Sequence, residues 1–150
     1  MVVANQVYQD VTSRGFVIAG TFNCVRFRQK QQEFSSQPPT QVNQPQEKSI
    51  QELRVAGSPW LFFSITDIVG KVECSVRYVF LQDNQVLFSS KGFMVESSDR
   101  LKTIEQAIPL PVLPIHGAGH YALEFFAGHE MIGSLRILAI PDEPAEEQEK

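Results

Sequence analysis

Hydrophobic and polar residues alternate along most of this chain with a period of two, which is typical of β-strands that bury one face. The clearest stretch covers residues 119–140. Tyr121, Leu123 and Phe125 share one parity there, and Gly128 marks a turn. We predict a β-hairpin, and because a lone hairpin is only marginally stable in water, it must belong to a larger sheet.

The same alternation predicts five earlier strands, at residues 2–9, 15–28, 60–67, 71–83 and 86–95. Gly20 inside the second of these predicts a bulge or a close backbone approach. Asn84 lies in a hairpin turn, where its short polar side chain tolerates a positive φ. Gly92 predicts an irregularity in the last of these strands.

Two segments break the strand pattern. Residues 96–104 carry the one helix-start signal, with Ser97 or Ser98 as the cap, and we predict a single helical turn that plugs one end of the fold. Prolines at positions 109, 111 and 114 follow. Proline lacks the N–H group that a central strand needs, so this segment is predicted to be an edge strand or a polyproline-like crossover.

Seven or eight short strands with almost no helix predict an all-β, antiparallel β-sandwich. The sandwich is expected to be immunoglobulin-like or C2-like, and a small β-barrel is the alternative. Trp60 lies between Cys24 and Cys74, but the thiols stand at unsuitable positions for the Cys–Trp–Cys pattern of a true immunoglobulin domain.

The 150-residue chain is long enough for one domain, which we place at residues 1–140. A segment at about 29–57 is rich in Gln, Ser and Pro, and we expect a flexible insertion there. Docking of Pro38-Pro39 as polyproline II is the alternative for that insertion. The acidic residues 141–150 are expected to form a disordered tail.

Net charge, hydropathy and cysteines indicate which kinds of partner and which cellular compartment to expect. A formal net charge of −4 gives no reason to expect nucleic acid. No window approaches the roughly 20 apolar residues that span a bilayer, and no signal peptide is visible, so a cytoplasmic location is expected. Cys24 and Cys74 stand at inward-facing parity in predicted strands. Two buried free thiols are the favoured interpretation, and a disulfide is the alternative.

Two pieces of the sequence carry a resemblance. One is Asp10 followed by GFVIAGTFN at 15–23, and the other runs from Leu110-Pro111 to GHYALEF at 119–125, with Gly128 at the turn. Together they resemble a family of small, uncharacterised bacterial β-sandwich proteins, whose pattern pairs an early Asp and Gly-x-Phe with a late Gly-x-Tyr-x-Phe/Leu hairpin. The insertion after Arg28 departs from a compact version of that pattern. The resemblance implies a sandwich of unknown function.

Histidines supply the main candidates for chemistry. His116 and His120 flank a Gly-Ala-Gly turn and are weak candidates for a metal site, with carboxylates nearby in sequence. His129 lies beyond the next strand, roughly 30 Å from His120 at about 3.3 Å per residue, so the two cannot share a site. Loop aspartates offer a calcium site as an alternative to ordinary turn chemistry: Asp10, Asp67, Asp83 and Asp99.

No nucleophile motif or phosphate-binding loop is present, so we expect neither an enzyme nor a cofactor. Several apolar residues instead fall at outward parity, which predicts a face covered by a second subunit, by another protein or by the segment at 29–57. A slip of parity at a bulge is the alternative. The residues concerned are Val79, Leu81, Phe126, Leu138 and Phe27.

The leading functional hypothesis is therefore a non-enzymatic protein-interaction or assembly module that binds a protein partner or forms a homodimer. A ligand- or metal-binding sandwich that uses the loops at one end is the alternative.

Overall fold

The computed structural model describes residues 1–27, 51–52 and 58–142, and at 51–52 it describes the backbone only. These residues form twelve strands and no helix. The strands are β1 (Val2–Gln9), β2 (Phe16–Thr21), β3 (Cys24–Phe27), β4 (Gln51–Glu52), β5 (Trp60–Ile65), β6 (Gly70–Phe80), β7 (Gln85–Ser89), β8 (Phe93–Ser97), β9 (Ile104–Pro109), β10 (Pro114–Ile115), β11 (Gly119–Ala127) and β12 (Glu130–Pro141).

Two main sheets are built from these strands. The small sheet has the order β2-β1-β5-β9, and all its pairs are antiparallel. The large sheet has the order β3-β12-β11-β6, after which β7 and β8 both pair with β6. A separate two-residue pair joins β4 to β10. Neither main sheet closes into a barrel, so the predicted sandwich class is confirmed over the barrel alternative.

Aromatic residues from both sheets meet in the core between them. The Phe63 ring of the small sheet lies 4.6 Å from the Phe125 ring of the large sheet, measured between centroids. Within the large sheet, Tyr121 stacks on Tyr78 at 5.3 Å and on Phe80 at 4.7 Å. Because these side chains are large and almost fully buried, they supply much of the hydrophobic stabilisation.

The predicted hairpin at 119–140 is confirmed as β11 and β12. Tyr121, Leu123 and Phe125 are buried as their shared parity predicted, and Gly128 takes a φ of 59° at the turn. A register shift between Phe125 and Phe126 adds a bulge near the turn. The hairpin lies inside the large sheet, with β3 on one side and β6 on the other.

One long strand at 15–28 was predicted, and that prediction is wrong, because the chain changes sheets at Phe22–Asn23. The Phe22 N–H group still bonds to Val3 O in the small sheet. Asn23 O already accepts a hydrogen bond from Leu138 N–H in the large sheet. The strand therefore splits into β2 and β3, and β3 runs parallel to β12, the one departure from an antiparallel arrangement among the described pairs.

Because the chain crosses between sheets here, the side chains of β3 that face the core differ from those that the predicted alternation placed inward. Cys24 was predicted to be buried and is exposed, whereas Phe27 was predicted to face outward and is buried in the core. Cys74 is buried as predicted, and both cysteines are free thiols, so the disulfide alternative is wrong.

The helical turn predicted at 96–104 is also wrong. The Ser97 hydroxyl accepts a hydrogen bond from Asp99 N–H and donates one to Asp99 O, which makes a tight turn rather than a helix cap. The proline-rich stretch is mainly a connection rather than the predicted edge strand, because β9 ends at Pro109 and residues 110–113 lead to the two-residue β10. The irregularity at Gly92 separates β7 from β8.

Two predictions fall mainly on residues that the structure does not describe. Most of the insertion predicted at 29–57 and residues 143–150 of the predicted tail lie outside the described ranges. Within the insertion, the backbone of Gln51–Glu52 pairs with Pro114–Ile115. In the described ranges, no helix of the length and hydropathy of a membrane span occurs.

Candidate functional site

The outer face of the large sheet carries three of the predicted interaction residues together. Val79 lies opposite Ala122, and Leu138 lies opposite His120 on the other side of the same strand. Phe126 shares their parity on β11. Val79 is only 3% exposed, however, and Leu81, Phe126 and Leu138 are half-buried. Val79, Leu138 and Phe126 therefore share a face, but little of its apolar surface is exposed, and its role as an interaction surface stays a prediction.

Charged side chains shield the Phe126 ring on this face. The Arg77 guanidinium lies 4.0 Å above the centroid of the Phe126 ring, a cation–π contact. The same guanidinium forms an ion pair of 3.6 Å with Glu124. Arg77 Nε is buried and has no hydrogen-bond partner among the described residues. A partner would therefore meet an arginine–glutamate pair here rather than an exposed aromatic ring.

The three histidines do not converge. All are exposed, with His116 before β11, His120 near its start and His129 in the turn after it. The His116 backbone N–H donates a hydrogen bond to the hydroxyl of Tyr121, a core residue. The described residues contain no group of three or more potential metal ligands. The His116–His120 metal site stays a prediction without further support.

The Asp10 carboxylate accepts hydrogen bonds from residues of its own turn. Its Oδ1 accepts hydrogen bonds from the N–H groups of Ser13 and Thr12 and from the Ser13 hydroxyl. The bond from Ser13 N–H is the main reason that the pKa of Asp10 is lowered. The carboxylate therefore closes the β1–β2 turn, where Arg14 takes a positive φ of 56°.

The other loop aspartates also have local partners. Asp83 and Asp99 each accept a hydrogen bond from the N–H group two residues later. Asp67 forms an ion pair of 2.7 Å with Arg100 Nε, on the exposed surface. The contacts of Asp83 and Asp99 are ordinary turn chemistry, the alternative to a calcium site that the sequence left open, and Asp67 is paired with a distant arginine.

The structure shows a further feature that the sequence did not predict, a bent ribbon formed by residues 5–20, which we call the β1–β2 arm. The Phe16 ring lies 5.2 Å from the Phe62 ring. Phe16 pairs with Gln9, whereas Phe62 pairs with Val2 at the opposite end of β1. At about 3.3 Å per residue, a straight β1 would hold these two pairs roughly 23 Å apart. The arm must therefore bend back over the small sheet.

The arm covers the outer face of that sheet. Phe62 alternates with Leu61 and Phe63, which face the core, so the contact with Phe16 lies on the opposite side. Val7 is buried although it is not part of the core between the sheets. The bend occurs where Gly20, with a φ of 68°, passes the Asn5 side chain.

Among the described strands, β2 is an open edge of the small sheet, since it pairs only with β1. Its backbone groups can be assigned from the turn. Asp10 N–H donates to Gly15 O at 2.8 Å, so this pair is hydrogen-bonded. Because such pairs alternate along an antiparallel ladder, Val17 and Ala19 bond to β1, and Phe16 and Ile18 direct N–H and C=O outward. The Phe22–Val3 bond has the opposite phase, so the alternation is interrupted at Gly20, where the ladder lacks a pair.

This open edge lacks most of the usual protection against pairing. Natural proteins blunt edges with charges, prolines, bulges or short strands. Phe16–Ala19 contains no charge, proline or bulge, and its shortness is its one protective feature. The other described edges longer than two residues have at least one each: Arg26 in β3, a register shift opposite β7, Glu96 in β8, and Glu105 and Pro109 in β9.

An exposed apolar pair lies beside the open edge. Tyr8 and Val17 are directly opposite each other on the arm. Tyr8 is 56% exposed and Val17 is 37% exposed. A strand added to β2 would lie next to Val17, with Tyr8 one strand further away, so it gains a side-chain contact as well as backbone hydrogen bonds.

The composition of β2 was the available sequence signal for this surface. FVIAGT has high β-propensity and carries no charge or proline. Because β2 and β3 were predicted as one continuous strand, however, no edge was predicted at β2.

Comparisons with known proteins give no further guide to this surface. No protein-family model, no curated protein and no solved structure matches the chain. The resemblance to uncharacterised bacterial sandwich proteins therefore stays a prediction.

Proposed function

We propose that this protein is a non-enzymatic protein-interaction or assembly module, and that it binds by accepting a partner strand on the open edge of β2. The observation that carries the proposal is the open edge of Phe16–Ala19 among the described strands, with outward backbone groups at Phe16 and Ile18. Strand addition is a common mode of recognition, in which backbone hydrogen bonds supply affinity and side chains next to the edge supply specificity.

The arm supports this proposal because it holds the edge in place. The Phe16–Phe62 contact and the buried Val7 anchor the inner face of the arm on the small sheet. An edge that is ordered before binding loses less conformational entropy when a partner strand is added.

The cysteines support an intracellular, reducing compartment such as the cytoplasm. Cys24 is exposed and free, and Cys74 is buried and free. Free thiols persist where glutathione and thioredoxin keep cysteines reduced.

Hydrogen exchange detected by NMR tests the edge directly. The probe is a synthetic peptide with the sequence of residues 14–22, added to dilute full-length protein. The amides of Phe16 and Ile18 exchange quickly in the free protein, since both point away from β1, and the peptide protects them. The amides of Val17 and Ala19 are already bonded to β1, so their exchange changes little.

Two lysine variants provide the matched comparison. Val17→Lys places a charge beside the open edge and abolishes protection by the peptide. Val86→Lys changes a valine of similar exposure, 49%, on the outer face of the large sheet and leaves protection intact. The proposal is wrong if the peptide protects neither amide in the wild-type protein, or if only Val86→Lys interferes.

A further inference from the structure

We infer that the strand accepted by β2 is β2 of a second copy of this chain, paired antiparallel about a two-fold axis at Val17. This inference rests on the proposed edge function and names the partner for it.

The backbone of β2 is self-complementary in this register. With the axis at Val17, Phe16 of one copy lies opposite Ile18 of the other, and the reverse pair follows by symmetry. Phe16 and Ile18 are the two residues whose N–H and C=O groups point outward from the arm. Each of these pairs can therefore exchange both of its N–H···O bonds, as a hydrogen-bonded antiparallel pair does.

The side chains fit the same symmetry. When the two-fold axis passes through Val17 perpendicular to the sheet, the same face of both arms lies on the same side of the new sheet. The exposed Val17 side chains of the two copies are therefore neighbours. The two residues form a non-hydrogen-bonded pair, in which the two Cα atoms approach to about 4.5 Å. Tyr8 lies opposite Val17 within each arm, so the exposed Tyr8–Val17 pairs of the two copies combine into one apolar strip.

The short edge favours a second copy over an extended peptide. The turn at Gly15 limits the regular edge on one side, and Gly20 limits it on the other, with a φ of 68°. A peptide would gain few backbone bonds over so short a stretch. A second copy contributes the same backbone bonds as a peptide, but its strand is already held in place by its own arm. The β1 and β2 strands of the two copies then form one four-stranded layer.

No charge within β2 opposes this pairing. The strand FVIAGT contains no ionisable side chain, so the two copies bring no like charges into direct contact along the edge. The charged residues of the turn, Asp10 and Arg14, lie beyond the paired segment.

Sedimentation equilibrium of the full chain tests the oligomeric state. We expect a concentration-dependent dimer for the wild-type protein. Val17→Lys raises the dissociation constant at least tenfold, and the matched variant Val86→Lys leaves it within about twofold. A strict monomer at all concentrations overturns the inference, and so does a dimer that Val86→Lys disrupts and Val17→Lys does not.

Cross-linking tests the register. In a Cys24→Ser background, Val17→Cys places two thiols on the axis, within the Cα separation of about 4.4–6.8 Å that disulfides accept. Oxidised glutathione then yields a covalent dimer, which Val86→Cys in the same background does not form. A covalent dimer from Val86→Cys alone overturns the inference in favour of the outer face.

These results separate the two proposals. If the peptide of residues 14–22 protects the amides of Phe16 and Ile18 while the full chain stays monomeric, the edge function holds and the second copy is the wrong partner. If the peptide gives no protection and the chain is monomeric, both are wrong.

Discussion

Two stacked tyrosines in the core differ in what their hydroxyl groups contact. The Tyr121 hydroxyl accepts hydrogen bonds from His116 N–H and Gly117 N–H and donates one to Gly117 O. The Tyr78 hydroxyl is buried and has no hydrogen-bond partner among the described residues. An unsatisfied buried hydroxyl destabilises a protein, whereas a fully bonded one does not.

Tyr78→Phe is therefore expected to stabilise the protein by about 1 kcal/mol, because it removes the unsatisfied group and keeps the ring. Urea unfolding with an unchanged m-value measures the effect. Tyr121→Phe is the matched control and is expected to destabilise by about 1–2 kcal/mol, since it leaves two N–H groups without their acceptor. Destabilisation by Tyr78→Phe would show that a buried water satisfies the hydroxyl.

The same tyrosines predict how stability depends on pH. Burial raises the pKa of Tyr78 above its ordinary value of 10.0, and the neighbouring Tyr121 raises it further. Burial also raises the pKa of Tyr121. Below pH 9 the phenols are protonated in both the native and the unfolded chain. Above pH 10 the unfolded chain loses protons that the native protein retains, so the free energy of unfolding falls as pH rises.

Urea unfolding between pH 8 and pH 11 measures this decline. Tyr78→Phe is expected to lessen it, because the variant lacks one of the shifted phenols. An equal decline in the variant and the wild-type protein would show that Tyr78 makes no contribution. The Cys74 thiol, whose pKa burial also raises, contributes in the same direction and remains in both proteins.

The β1–β2 arm depends on one glycine more than on any other backbone position. Gly20 has a φ of 68°, and a Cβ atom there would lie 2.7 Å from the Asn5 side-chain nitrogen. A side chain would therefore be strained by the backbone and crowded by Asn5.

Gly20→Ala is expected to destabilise the arm by roughly 1–2 kcal/mol, the usual penalty for a side chain in the left-handed region. Amide hydrogen exchange at Tyr8 and Val17 should accelerate while exchange in β11 is unchanged. Gly133→Ala is the control, because nothing lies within 4 Å of a Cβ there and no positive φ occurs. Equal effects of both variants would contradict a special role for Gly20.

Much of the fold could be predicted from local pattern. The alternation in β6 and β11 identified the buried residues, and the turn chemistry at Asn84 predicted its positive φ, which is 59°. These features depend on neighbours in sequence. The crossing at Phe22–Asn23 could not be predicted, because alternation looks the same whether a strand continues or passes to another sheet.

The candidate site was predictable only in part. The shared parity of Val79 and Phe126 followed from alternation. The shielding of Phe126 by Arg77 depends on the register between β6 and β11, which the sequence does not reveal. The open edge of β2 depends on strand order, and strand order is set by tertiary pairing rather than by local propensity.

At the scale of the whole molecule, net charge affects the dissociation constant of the proposed dimer. Each copy carries a formal charge of −4, so two copies repel each other at long range. The screening length falls from about 30 Å at 0.01 M salt to about 8 Å at 0.15 M. We therefore expect the dissociation constant of the proposed dimer to decrease several-fold over this range of salt.

Sedimentation at a series of salt concentrations checks this expectation. Val86→Lys provides an internal control, because it reduces the net charge of each copy outside the edge and should make the salt dependence shallower. A dissociation constant that rises with salt would contradict repulsion between like copies and would point to attraction between opposite charges.

The parallel pairing of β3 with β12 has a consequence for biosynthesis. Cys24 lies beside Leu138, so one early strand of the large sheet has its neighbour among the last strands to be made. At about 5–20 residues per second, the ribosome needs on the order of ten seconds to add the chain between them. During that interval the apolar side chains of Val25 and Phe27 lack β12, the strand that neighbours them in the native sheet. The nascent chain is thus exposed to aggregation and to chaperone binding at β3 until translation has passed β12.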